Sequence, residues 1–185
     1  MSRASNPLRF VLRLALIYGT FLLSQNIPAT ARAIWRPVYD ALGAMQARGV
    51  AGLFGLFGYD AGVDVWGQDS DFPASYVVRI ENSPGVRLNY PCLAVDTTFA
   101  LLALLMAYSA PLKSKLWAVP LAIAAVQGLN FARVAALTWM SFARPGWLEF
   151  SHHYAFQYAV VAVVFALFAW WVERAQIRPS GNLSS

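Results

Sequence analysis

Leu116–Met140 reads LWAVPLAIAAVQGLNFARVAALTWM, a run of twenty-five residues with one charge, Arg133. About twenty apolar residues suffice for a helix to cross a hydrocarbon core of about 30 Å, so this stretch alone predicts a membrane span. The rest of the chain agrees. Hydrophobic residues make up 58% of the 185 and charged residues 12%, about half the charged share of a soluble domain. A chain this poor in charge cannot clothe a soluble surface.

Further apolar runs lie on both sides. Leu8–Ser24 follows Arg3 and holds Arg9 and Arg13 near its start, as a first span with a snorkelling arginine would. A cleaved signal peptide fits the same residues, with Ala29-Thr30-Ala31 as its processing site. Cys92–Ser109 and Phe150–Val172 complete an expected total of about four transmembrane helices. Pro111, Lys113 and Lys115 form a turn that the positive-inside rule assigns to the cytoplasm, as it does Arg174 and Arg178.

Two segments are not spans. Thr30–Phe57 repeats Ile34, Val38, Leu42, Met45, Gly49, Leu53 and Leu56 at spacings of three or four, but Arg32, Arg36, Asp40 and Arg48 interrupt it. That pattern predicts an amphipathic helix lying in the interface. Tyr59–Tyr90 is polar, with strand-like pieces around Val63–Val65 and Ser75–Ile80, broken at Asp69–Pro73. Six of the nine acidic residues fall between Asp40 and Glu81, which suits an extracytoplasmic segment. The expected architecture is thus a single all-α integral membrane domain (residues 1–185). It comprises a first span (8–24), an interfacial helix (30–57), a short β-like extracytoplasmic segment (59–90) and a core of three spans (92–172).

Depth gathers the chemistry-bearing residues. Cys92 opens one span, and His152 and His153 open the last. Arg133 lies seventeen residues beyond Leu116, a rise of about 26 Å. Helices running in these directions bring a thiol, a guanidinium and an imidazole to one extracytoplasmic layer. A thiolate attacks a carbonyl when a base takes its proton, and a guanidinium in a water-poor site holds the resulting oxyanion. Water as second substrate gives a protease, and an amine or hydroxyl gives a transpeptidase. Asp96, one turn below Cys92, is a potential partner for Arg133 or a histidine. Asn130 lies one turn before Arg133 on the same helix face. The single cysteine excludes an intrachain disulfide and a Cys-rich metal site. No metal and no cofactor are expected. The +5 net charge comes from scattered residues without a basic run, so nucleic acid is not an expected partner.

These residues carry a resemblance. Cys92 opening a Leu/Ala-rich span, then Asn130-Phe131-Ala132-Arg133, then His152-His153-Tyr154-Ala155-Phe156-Gln157 resemble the exosortase/archaeosortase family, in its compact form, over roughly Tyr59 to Val172. The resemblance implies a transpeptidase or protease of the cytoplasmic (inner) membrane that cleaves C-terminal sorting signals of exported proteins through a thioester. Its partners would be proteins ending in a short motif, a transmembrane helix and a basic tail, with membrane lipid around them. It assigns Cys92 as nucleophile, Arg133 as transition-state stabiliser and a histidine as acid/base. His152 is preferred over His153, because His-x-Tyr-x-aromatic-Gln aligns from it. One departure stands out: the family cysteine is commonly followed by a polar residue and glycine, where this chain has Leu93-Ala94. The competing class is a non-enzymatic assembly factor or helper subunit for envelope polysaccharide export. In that reading Arg133 and Asp96 form a structural pair and Cys92 is incidental.

Overall fold

A computed structural model describes residues 7–67, 73–147 and 156–176. The chain is mostly helical. Helix α1 (Pro7–Asn26) is followed by the single turn α2 (Pro28–Thr30), a π-turn (Ala31–Trp35) and α3 (Arg36–Leu56). Strands β1 (Ala61–Trp66), β2 (Ser75–Ile80) and β3 (Val86–Leu88) come next, then a 3₁₀ turn (Tyr90–Leu93). Helices α4 (Val95–Ala107), α5 (Leu112–Ala143) and α6 (Phe156–Gln176) complete the fold, with a short 3₁₀ turn at Pro145–Trp147.

Among the described residues three helices are long and apolar enough to cross a membrane: α1, α5 and the Tyr158–Ala175 part of α6. Helix α4 falls short. Its 13 residues span about 20 Å against a core of about 30 Å. The apolar run does start at Cys92, but Pro91 and the backbone turn at Ala94 delay the helix to Val95. Helix α5 departs the other way. Its 32 residues extend about 48 Å, well past the thickness of a bilayer core. Pro120 and Gly128 lie within α5 without ending it.

The excess length of α5 links two cores. In one, Leu101 and Leu105 of α4, Ala118, Ala122 and Val126 of α5, and Val164 and Trp171 of α6 are buried together. In the other, Tyr39, Ala47, Val50 and Phe54 of α3 pack with Tyr76, Val78 and Ile80 of β2, Leu88 of β3, Leu93, and Val134 of α5. The passage between them falls between Val126 and Val134. Basic side chains gather at the far end of the first core. There Arg13 donates to Ser109 Oγ (3.5 Å), Lys115 Nζ donates to the Met106 carbonyl (2.8 Å), and the Arg174 guanidinium lies 4.6 Å from the Trp170 ring centroid. Trp171 Nε1 donates to the Ser114 carbonyl (3.4 Å), fastening α6 beside the α4–α5 turn.

The polar segment forms a three-stranded antiparallel sheet in the order β1-β2-β3, with Val63 opposite Val78 and Val77 opposite Arg87. Sequence alone marks the first two strands, and the third follows from the extended approach to the cysteine. Helix α3 lies across this sheet and presents Tyr39, Gly43, Gln46, Ala47, Val50 and Phe54 inward. Ile34, Val38, Met45 and Leu56, from the apolar stripe read in the sequence, are instead exposed. An apolar outer face suits a helix resting on lipid, and small and aromatic residues make the inner one. Gly43 is required by the close approach: a β-carbon there would meet the Tyr76 ring at 2.7 Å.

Candidate functional site

Cys92 sits half-buried in the 3₁₀ turn between the sheet and α4, not inside a transmembrane helix. Two residues later Ala94 adopts a left-handed backbone, φ 53° and ψ 25°, and caps α4. That conformation costs an L-residue roughly 1–2 kcal/mol relative to glycine. Strained backbone persists where the surroundings fix it, and here they do.

Two side-chain amides from α5 hold the turn. Asn130 Nδ2 donates to the Cys92 carbonyl at 2.9 Å, and Gln127 Nε2 donates to the Leu93 carbonyl at 3.3 Å. A carbonyl only accepts, so both contacts fix which way each amide faces. Gln127 Nε2 also donates to Thr98 Oγ1 (3.0 Å), whose own hydroxyl donates to the Ala94 carbonyl (2.7 Å). Gln127 therefore turns its oxygen to Gln46, and Gln46 Nε2 donates to it at 2.8 Å. Gln46 Oε1 in turn accepts from Asn130 Nδ2 at 2.8 Å. The chain of amides closes without a mismatch. Gln46, Asn130 and Thr98 are 1%, 0% and 8% exposed, so each bond forms where water does not compete.

Two atoms are left over. Asn130 Oδ1 and Arg133 Nε are buried without a hydrogen-bond partner among the described residues. Leaving such groups unpaired costs about 1–3 kcal/mol each, and both lie within the Asn-Phe-Ala-Arg element. Among the described residues no carboxylate pairs with Arg133.

Asp96 corrects one half of an expectation, the pairing with Arg133; a histidine partner would lie outside the described residues. Asp96 is exposed and, instead of meeting Arg133, accepts a hydrogen bond from Gln25 Nε2 of α1 at 3.2 Å. The same Gln25 nitrogen donates to Tyr39 Oη at 2.8 Å. Tyr39 packs its ring 5.8 Å from that of Tyr90, at the head of the cysteine turn. Burial, then the nearby Asp96 carboxylate and Tyr90, push the Tyr39 phenol up to about 12. Where β2 packs against α3, burial and the Asp40 carboxylate raise the Tyr76 phenol as well.

The structure thus brings Cys92, Asn130 and the Gln46–Gln127 pair together and separates Asp96 from Arg133. His152 and His153 lie outside the described residues. Sequence reasoning does not single out Gln46 or Gln127. The usable signal is Gln46 standing seven residues from Tyr39 on a face otherwise made of apolar and small residues.

No family model, curated protein or solved structure matches this chain.

Proposed function

We propose that the protein is a membrane-embedded cysteine transpeptidase or protease that removes the C-terminal sorting signals of exported proteins. The observation that carries this reading is the hydrogen bond from Asn130 to the Cys92 carbonyl. It joins two motif elements that the sequence keeps 38 positions apart, with Arg133 one helical turn further on. In the proposed reaction the histidine takes the Cys92 proton, the sulfur forms a bond to the scissile carbonyl carbon as the C=O π pair moves onto oxygen, and Arg133 donates to the oxyanion. Collapse breaks the C–N bond, and the amine departs with a proton supplied by His152, or by its neighbour His153. Water, an amine or a hydroxyl then attacks the thioester and restores the thiol.

The basic cluster of Arg13, Lys115 and Arg174 supports an orientation with that end in the cytoplasm and the cysteine turn on the extracytoplasmic side. In this reading α1, α5 and α6 span the cytoplasmic membrane, α4 is a shorter fourth membrane segment, and α3 lies in the interface. The non-enzymatic reading rests on an Arg133–Asp96 pair, which the exposed, Gln25-bound Asp96 does not supply.

The test is an acyl-enzyme trap. Membranes expressing the protein with a candidate exported substrate are quenched in acid, and the Cys92 peptide is examined by mass spectrometry. A hydroxylamine-labile adduct carrying the substrate's new C-terminus is expected. A substrate that is processed without any such adduct at any time point argues against the covalent route.

A further inference from the structure

The three-stranded sheet has two edges, and one of them leads directly to the cysteine turn. Strands pair in the order β1-β2-β3, and among the described residues β3 hydrogen-bonds to β2 alone. In an antiparallel pair each residue turns its N–H and C=O either toward its partner or away, in alternation. The outer side of β3 therefore presents unpaired main-chain groups. The strand is nonetheless held firmly. Val86 and Leu88 are 8% and 1% exposed, and Leu88 belongs to the core beneath the sheet. Arg87 between them is exposed, with its guanidinium 5.8 Å from the Trp66 ring centroid. From here an exposed path runs to the thiol: Asn89, Tyr90 and Pro91 lie at the surface, and the half-buried Cys92 comes four residues after Leu88. The other edge, β1, is two strand spacings away from β3, about 10 Å, and has no such continuity with the turn.

We propose that the outer edge of β3 receives the substrate polypeptide as an added strand, formed by the residues just before the scissile bond. This rests on the peptidase reading above and supplies what Cys92 and Arg133 alone do not, a means of laying an extended chain toward the sulfur. A sheet edge recognises main chain, and the side chains of the added strand alternate between the two faces. Strand β3 runs toward the cysteine turn, and in the proposed orientation toward the membrane surface. A substrate anchored by a C-terminal span descends in the same sense, so the added strand pairs parallel. The three residues of β3 offer few hydrogen bonds. A substrate anchored in the same bilayer needs few, because its effective concentration at the edge is high. A second copy of this chain is a poorer occupant, since its strand would cover the path from Asn89 to Cys92.

The test is a crosslinking scan in membranes with the full-length chain. Cys92→Ala/Arg87→Cys carries one thiol, because Cys92 is the sole cysteine. It is co-expressed with an exported protein that ends in a motif, a single span and a basic tail. That protein bears single cysteines, one at a time, along the segment ahead of its span, and the membranes are oxidised. Disulfides are expected at one position and again two residues away, at least about fivefold above the positions between, because the side chains of a strand alternate faces. Equal yields at consecutive positions, or none at any, would overturn the proposal. A disulfide joining two copies of this chain instead would make a second copy the occupant and overturn it too. The wild-type protein supplies a second measurement that needs no variant of this chain. Proline, which lacks an N–H, is placed at each of the same substrate positions, and cleavage is expected to drop at least about tenfold at every second one. Cleavage unaffected at all of them, or lost equally at all, would overturn the added strand and leave the nucleophile assignment standing. Disulfides with the two-residue period on a substrate that the wild-type protein never cleaves would instead uphold the docking edge and fail the peptidase reading.

Discussion

Asn130 Nδ2 stands 2.9 Å from the Cys92 carbonyl oxygen and shares its second hydrogen with Gln46 Oε1. One buried amide thereby couples the cysteine turn to α3 and α5. The turn, with its left-handed Ala94, is held from both helices.

Gln46 is the central member of that chain, and removing it should be felt as lost stability. Gln46→Met keeps the volume but leaves a hydrogen of Asn130 and the oxygen of Gln127 without partners. Two buried polar groups orphaned at once predict a loss of about 2–4 kcal/mol, measurable by chemical unfolding in detergent. A loss under about 0.5 kcal/mol would mean that water or a rearranged side chain satisfies both.

Ala94 permits a sharper comparison. Ala94→Gly relieves a left-handed cost of roughly 1–2 kcal/mol. It also gives up a buried methyl worth about 0.8 kcal/mol and adds about 0.5–1 kcal/mol of unfolded-chain entropy. The terms nearly cancel, so near-neutral stability is expected. Ala94→Val adds β-branching to the same strained backbone and should destabilise by about 2 kcal/mol or more. Equal stabilities of the glycine and valine variants would contradict the left-handed assignment.

Much of this was legible in the sequence, and the remainder has a physical reason. The apolar runs of α1, α5 and α6 announce themselves because length and lack of charge are local properties. Hydrophobicity also points to a span starting at Cys92, but the start of α4 is set by Pro91 and Ala94, which leave the hydrophobicity of the run unchanged. Most of the apolar stripe read from the periodicity, Ile34, Val38, Met45 and Leu56, is exposed, while Leu42 packs against the core, and the side that packs on the sheet is the one with Gly43 and Gln46. Gln46 and Gln127 acquire meaning only from partners 81 and 34 positions away, which no local pattern encodes. Asp96 shows the opposite error. Its proximity in sequence to Cys92 suggests a partner for Arg133, whereas its place in the first turn of α4 turns it toward α1.

Tyr39 gives a pH dependence with a defined sign. Its phenol ionises near 10 in the unfolded chain and is held to about 12 in the fold. Below pH 10 both states are protonated and the full contribution to stability is present. As pH rises from 10 toward 12 the unfolded chain loses its proton first, so stability falls across that window. Wild-type Tm should decline more steeply between pH 9.5 and 11.5 than that of Tyr39→Phe. Parallel declines would show that the phenol is not the group responsible. Tyr76, raised in the same direction, remains in both proteins and cancels from the comparison.

The central claim, that Cys92 is a nucleophile, is tested most directly by replacing the gene in its host with Cys92→Ala and measuring the intact masses of exported proteins that end in a motif, a single span and a basic tail. Cys92 is the sole cysteine, so no second thiol can substitute for it. Loss of the nucleophile is expected to leave those C-terminal tails uncleaved, and Arg133→Lys should slow cleavage by about 10²–10³, the typical cost of one oxyanion donor. Normal processing by a Cys92→Ala protein that is stable and inserted in the membrane would contradict the account.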